Sequence, residues 1–302
     1  MSQRTYTITC LARHGIGPEV MAAASRALSA TSRLHGFDVE EHYVPFGADA
    51  VTQFGRAFPL SSRREILTAD AVLVASRSDA ALATLEAELD LRASIVRVRF
   101  DGRSELSLVA PLGADGWEFA LERSFSLART SRGRVALVGI DESWELEGAA
   151  YELMHDGLEV ERLDSRAAMR TLVFTPERFD VVVCPPELAR TAAEVAASFA
   201  HTRTAAWGRL SPTRPSIFGA AHGAADELAG HGVADPSSML LAAALMLGEG
   251  LGERSAAATL SGAVGLAGGN GTARPFARDH ADVVLAHLPL ALENAEFHRE
   301  AV

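Results

Sequence analysis

Apolar residues in the first part of the chain fall into short continuous runs. Between the runs lie stretches where apolar residues recur every three or four positions. Residues 6–11, 37–44 and 69–76 read as strands, the first two with polar residues interspersed. The last is apolar almost throughout, as in a strand of a parallel sheet covered on both faces. Arg13-His-Gly-Ile-Gly-Pro-Glu-Val20 opens an amphipathic helical pattern that continues to about Leu34. Gly15 and Gly17 permit a tight turn, and Pro18-Glu19 suits a helix N-terminus through fixed φ and the dipole. A second helical pattern covers residues 80–91, and the alternation predicts βαβ units.

Beyond a strand at residues 94–100 the pattern changes. Residues 104–111 and 117–127 read as antiparallel strands with polar faces, so a domain crossing is placed here. Three more strands are expected at 134–140, 158–163 and 179–184, separated by helical stretches at 142–156 and 165–174. From Pro236 the chain reads as mostly helical, with an interruption at residues 268–272, Gly-Gly-Asn-Gly-Thr, that suits a mobile loop better than a phosphate cradle because no lysine follows it. The expected organisation is a larger domain from 1–100 and 202–302 and a smaller one from 101–201.

Composition narrows the function classes. With 302 residues, 48% hydrophobic, the chain can bury a large core. A net charge of −11 argues against nucleic acid or an anionic membrane as partner. All 28 basic residues are arginine, which excludes a lysine Schiff base or general base. Cys10 and Cys184 end apolar runs and read as reduced, buried thiols of a cytoplasmic protein, with a catalytic thiol at Cys184 the minority reading. No apolar signal core opens the chain, and its longest apolar run, residues 239–247, is too short to span a bilayer.

The densest glycine-bearing stretch is Phe218-Gly-Ala-Ala-His222-Gly-Ala-Ala-Asp-Glu-Leu-Ala-Gly230-His-Gly232-Val-Ala-Asp235-Pro236. Its glycines allow positive φ and close backbone approach, so it can be a loop folded round something flat or anionic, or a surface turn with capping glycines. Pro236 suits the start of the helix that follows. His222-Gly223 with Ala229-Gly230 and Gly232-Val-Ala-Asp-Pro236 resembles the cofactor loop of the isocitrate and isopropylmalate dehydrogenases. The stretch around Gly15-Ile-Gly-Pro-Glu19 resembles the N-terminal signature of the same family, with His14 where the family carries aspartate.

The resemblance implies an α/β protein with the isopropylmalate dehydrogenase-like fold: a two-domain α/β/α sandwich with a mixed sheet and a smaller dimerising domain. It implies a homodimer with a small-molecule ligand in the interdomain cleft. It also implies oxidation of a 2-hydroxy acid by NAD(P), then loss of the β-carboxylate. In that family arginines hold substrate carboxylates, a divalent metal sits on three aspartates, and a lysine and a tyrosine move protons. Carried over residue by residue, Asp164 in Leu-Asp-Ser-Arg-Ala-Ala-Met169 matches the first metal aspartate, whereas the other two fall on Arg190 and Glu194. Glu142 stands at the lysine position and Trp144 at a neighbouring asparagine. The first substrate arginine falls near Glu86 and the second at Val96 or Arg97, and no segment matches the later arginine and tyrosine motif. Gly15 of the N-terminal signature and His222 and Gly223 of the cofactor loop keep the family residues, Gly219 stands where the aspartate preceding the ribose is expected, and Asp235 replaces the adenine-contacting asparagine.

Arg190 between Asp164 and Glu194 would put fixed positive charge where the metal stands in the family. An ordinary surface pair of Arg190 with Glu194 at i,i+4 is an equal alternative. The candidate catalytic residues are therefore Asp164, Arg190, Glu194 and Glu142, and the candidate cofactor-binding residues Gly15, His222, Gly223 and Asp235. No metal and no cofactor is expected. The leading function is a family member not competent in metal-dependent oxidative decarboxylation, its cleft binding a small organic acid or other metabolite, with or without cofactor-free acid/base chemistry. The alternatives are a working dehydrogenase using NAD or NADP with Mg²⁺ or Mn²⁺, and a catalytically silent regulatory subunit.

Overall fold

Alternating threonine and large apolar residues make Arg4–Leu11 the first strand of a computed structural model. It describes residues 4–12, 14–76, 81–100, 104–139, 142–199, 204–213, 215–268 and 277–300, without the side chains of 142–147, 197, 199, 277–279 and 296–300. The glycine run at 268–272 therefore lies, beyond Gly268, outside the described residues.

In chain order the elements are β1 (Arg4–Leu11), α1 (Gly17–His35), β2 (Phe37–Tyr43), α2 (Ala48–Phe54), α3 (Leu60–Thr68), β3 (Ala71–Val74), α4 (Ala81–Glu86) and β4 (Ala93–Arg99). There follow β5 (Glu105–Pro111), α5 (Trp117–Ala128), β6 (Arg134–Val138), α6 (Glu142–Met154), β7 (Glu159–Leu163), α7 (Ser165–Phe174), β8 (Val181–Val183) and α8 (Pro186–Phe199). The chain ends with β9 (Ala205–Leu210), β10 (Ser216–Ala220), α9 (Ser237–Leu245), a π turn at Met246–Gly250, α10 (Arg254–Gly268) and α11 (Ala277–Glu300).

Two units emerge, one of residues 1–90, 206–208 and 213–302, the other of 91–205 and 209–212. β4, expected with the larger domain, groups with the second unit. The reason is its antiparallel register with β5, from Ala93 opposite Pro111 to Arg99 opposite Glu105.

In the first unit β2, β1, β3 and β10 are parallel neighbours in that order. α9 is buried at all nine positions and packs against β10, α1 and α10. A helix with no polar face belongs inside a core, and this one carries the run expected to be too short for a membrane. Among the described residues no helix is long and apolar enough to cross a bilayer.

In the second unit the order is β4, β5, β8, β6, β7, with all pairs parallel except β4 with β5. Val98, Leu106, Leu108, Val138 and Val182 meet a face of small residues from α8, Ala189, Ala192, Ala193 and Ala196, together with Ala168 and Leu172 of α7. Buried Asp180 closes the strand ends: Oδ1 accepts from Arg132 Nε at 2.7 Å and Oδ2 from the Arg134 amide at 3.1 Å.

Three sequence expectations change. Residues 117–127 form the helix α5 rather than a strand, because Ala120, Leu121, Ser124, Phe125 and Ala128 recur at helical spacing and are buried together. β9 lies in a stretch to which no strand was assigned. β10 includes Phe218-Gly219-Ala220, which the glycine content had marked as loop.

Candidate functional site: two interlocked loops in the first unit

The two glycine-bearing motifs, some two hundred residues apart in sequence, fasten to each other. The turn after β1 presents Gly15 at φ +55°. A Cβ there would stand 2.0 Å from the Ala224 carbonyl oxygen, so only glycine fits. The next amide, Ile16 N–H, donates to that same oxygen at 2.9 Å. One helical turn on, Glu19 Oε1 accepts from the Gly230 amide at 2.5 Å. His14 and Asp226 approach to 3.5 Å, but both are more than half exposed and the pair is worth little.

The loop between β10 and α9 is held in a specific shape. Ala225 has φ +44° and is the one non-glycine residue with positive φ among the described residues. Such strain costs roughly 1–3 kcal/mol and persists where the surroundings impose it. Gly230 and Gly232, at φ +81° and +68°, face open space.

His222 Nδ1 lies 2.9 Å from the Gly223 carbonyl oxygen. Because a carbonyl only accepts, Nδ1 carries the proton and Nε2 presents a lone pair. That Nε2 is buried without a hydrogen-bond partner among the described residues, and so is Glu19 Oε2. Buried polar atoms are almost always satisfied, so two orphaned acceptors beside one loop suit hydroxyl or amino groups of a ligand. A recess of about 30 Å³, lined by Leu11, His14, Phe46, Val74 and Ser76 among others, lies at the C-terminal ends of β1 and β3. This is the end of a parallel sheet where α/β proteins place ligands.

Gly219 is explained by packing. A Cβ there would lie 2.6 Å from the Val74 carbonyl oxygen and 2.9 Å from the Trp207 ring. Trp207 is fully buried and donates from Nε1 to the Ala220 oxygen at 2.9 Å. The indole thus fills the volume a larger residue at 219 would need. Asp235 Oδ1 accepts from the Ser237 amide at 2.9 Å and from its hydroxyl at 2.6 Å. Gly15, His222, Gly223 and Asp235 therefore belong to one loop system.

The other four candidate residues lie in the second unit. Asp164 caps α7, with Oδ1 accepting from the Ala167 amide at 2.8 Å, and is exposed. Arg190 and Glu194 are exposed on α8 one turn apart, and among the described residues neither forms an ion pair with the other or with Asp164. Glu142 starts α6, with its side chain outside the described residues. One carboxylate engaged in a helix cap, a guanidinium and a second carboxylate do not make the all-oxygen set that a divalent cation takes. Among the described residues no three His, Cys, Asp or Glu side chains gather to hold a metal. Arg97 Nε donates to Ser107 Oγ at 3.2 Å in the β4–β5 pair. Cys184 is a free, buried thiol whose pKa burial pushes up to about 12, which leaves it protonated and unreactive at neutral pH. Burial likewise raises the Cys10 thiol.

Sequence reasoning missed Glu19, Trp207 and Ser237 as parts of the site. Only Ser237 left a local signal, an Asp-x-Ser spacing that favours a side-chain turn before a helix.

Residues 151–272 match the family model "Isocitrate/isopropylmalate dehydrogenase". The chain is 27% identical to the 3-isopropylmalate dehydrogenase of Prochlorococcus marinus, across 86% of this chain and 90% of that protein. It is 26% identical to that of Streptococcus thermophilus, across 86% and 91%. Its fold superposes on isocitrate dehydrogenase from Methylococcus capsulatus with a TM-score of 0.76, at 22% identity, covering 94% of this chain and 99% of that one. A β-decarboxylating dehydrogenase from Thermococcus kodakarensis gives the same TM-score at 21% identity, covering 96% and 98%.

These likenesses overturn the expectation that no cofactor is used. The matched proteins are dehydrogenases, NAD(P)- and metal-dependent in the chemistry given above, and a dehydrogenation needs a hydride acceptor that no side chain supplies. That expectation rested on two polar contacts removed or altered at Gly219 and Asp235, whereas the loop itself is intact, with Trp207 against Gly219 and Ser237 bonded to Asp235. Over most of its length the chain is similar to the isocitrate and isopropylmalate dehydrogenases, in sequence and in fold.

Proposed function

We propose that this chain binds a nicotinamide dinucleotide at the interlocked loops and acts on a small hydroxy acid without the decarboxylating step of its relatives. The observation that carries the first half is the orphaned Nε2 of His222 in a loop pinned to the start of α1. The dinucleotide supplies the hydride acceptor. His222 and Glu19 offer acceptors to its hydroxyl and amino groups, and the locked backbone removes part of the ordering cost of binding. The second half rests on residue chemistry. Glu142 replaces an ammonium with a carboxylate, and Arg190 replaces a metal-holding carboxylate with a guanidinium. Glu86 near the first substrate-arginine position favours a hydroxy acid with fewer negative charges than isocitrate. The acting form is a homodimer, supported by Leu153, Met154 and Phe174, large apolar side chains 85%, 64% and 76% exposed in the second unit.

Titration of the protein into NADH and NADPH, followed by nicotinamide fluorescence, tests the loop. Binding should weaken about tenfold in His222→Ala, the equivalent of one buried contact. No binding by the wild type up to millimolar dinucleotide would sink the proposal. NAD reduction with a panel of 2-hydroxy acids, including 3-isopropylmalate and isocitrate, tests the chemistry. Release of carbon dioxide in step with NADH would refute the loss of decarboxylation, and absence of turnover on the whole panel would favour a silent subunit.

A further inference from the structure

The far end of the same loop is tied down by a residue that no motif marks. His280 lies in the first turns of α11, 2% exposed, with Nε2 2.8 Å from Ser237 Oγ. Ser237 is 3% exposed, and its hydroxyl stands 2.6 Å from Asp235 Oδ1. The hydroxyl has a single proton, and at that distance an ionised carboxylate takes it. The lone pair left on Ser237 Oγ then faces His280, so Nε2 must carry a proton and donate it. The direction of each bond follows: His280 to Ser237, Ser237 to Asp235. The Ser237 amide donates to the same carboxylate oxygen.

We propose that His280 is a positioning residue for the loop. By holding the Ser237 hydroxyl toward Asp235, it fixes the carboxylate and the last residues of the loop before α9. Together with Ile16 N–H on Ala224 and Glu19 on Gly230, it anchors the loop from a third element, the C-terminal helix. A change in α11 therefore reaches the loop through two hydrogen bonds. The part that concerns cofactor affinity rests on the dinucleotide reading above, whereas the anchoring does not.

The test compares full-length His280→Leu, His280→Gln and Ser237→Ala. Leucine removes the donor, and glutamine restores an N–H donor at about the position of Nε2. Ser237→Ala breaks the relay with little change in volume and serves if His280→Leu does not fold. Amide deuterium exchange over residues 226–237 of the ligand-free protein should rise about tenfold in His280→Leu and in Ser237→Ala, and return to within about threefold of wild type in His280→Gln. The NADH dissociation constant should follow the same order, about tenfold, tenfold and threefold above wild type. Unchanged exchange in Ser237→Ala, or glutamine behaving like leucine, overturns the proposal, since either result leaves His280 as packing alone. Failure of the wild type to bind NADH sinks the dinucleotide reading, and the exchange result still decides the anchoring.

Discussion

Gly15→Ala strikes the lock between the two loops at its tightest point. Its Cβ would stand 2.0 Å from the Ala224 oxygen, 2.7 Å from its carbonyl carbon and 2.9 Å from its Cβ. Every one of these atoms is backbone or fixed by backbone, so no rotamer change relieves the contact. The residue must also hold φ +55°, which costs a side-chain-bearing residue about 1–2 kcal/mol. Moving Ala224 away breaks the 2.9 Å bond from the Ile16 amide, at about 0.5–1.5 kcal/mol net. If the loop stays docked, the two sum to about 1.5–3.5 kcal/mol of lost stability in urea denaturation. If the loop undocks instead, the loss is capped at its docking energy. The damage then appears as faster amide exchange at residues 222–232 and as weaker NADH binding. Either way one readout must move. Wild-type stability, exchange and NADH affinity in Gly15→Ala would together show that the contact between residues 15 and 224 does not exist in solution.

Two other perturbations probe different parts of the molecule. Cys10 and Cys184 should resist a disulfide-exchange reagent at pH 8 in the native protein and react at once in urea. Both thiols have folded pKa values raised by burial, Cys184 to about 12. Their stabilising contribution is therefore complete below the unfolded value of about 8.5 and lost as pH climbs, by about 1.4 kcal/mol per unit for each thiol. A flat stability profile between pH 9 and 11, or a Cys184→Ala variant with the wild-type slope, refutes the burial argument. In the second unit, Phe174→Asp with Leu153→Asp should convert a homodimer to monomer in sedimentation at micromolar concentration, and a wild type that is already monomeric there ends the dimer proposal.

The βαβ order of the first unit was legible because β1, β3 and α1 carry their own period and their own glycine or proline punctuation. Residues 117–127 were misread because Trp, Phe and Leu at both alternating and helical positions satisfy either period, and burial against β5 and β8 decides between them. Gly219 misled for a related reason. In sequence it looks like a loop glycine, and only the Trp207 ring beside it shows it to be a strand glycine. Of the site, the two motifs could be read, but not their contact: nothing local in Gly15 or Ala224 says that one backbone rests on the other. His280 left no trace because its role depends on one hydroxyl, brought within reach by packing of the final helix.

The division of the first unit into three stretches of sequence bears on how the chain acquires its shape. β3 pairs with β10, Ala71 opposite Ser216, a separation of 216 − 71 = 145 positions. Most of the second unit, by contrast, is a single uninterrupted segment, 91–205. Closing so long a span delays the pairing of β3 with β10 relative to contacts inside the segment. On a ribosome the first ninety residues wait, with the edge of β3 uncovered, until β10 has been made, while the segment between them can already fold. Limited proteolysis of nascent chains halted after residue 212 should find 91–205 protected and 1–90 cleaved. The reverse pattern would mean that the N-terminal strands hold together without their partner.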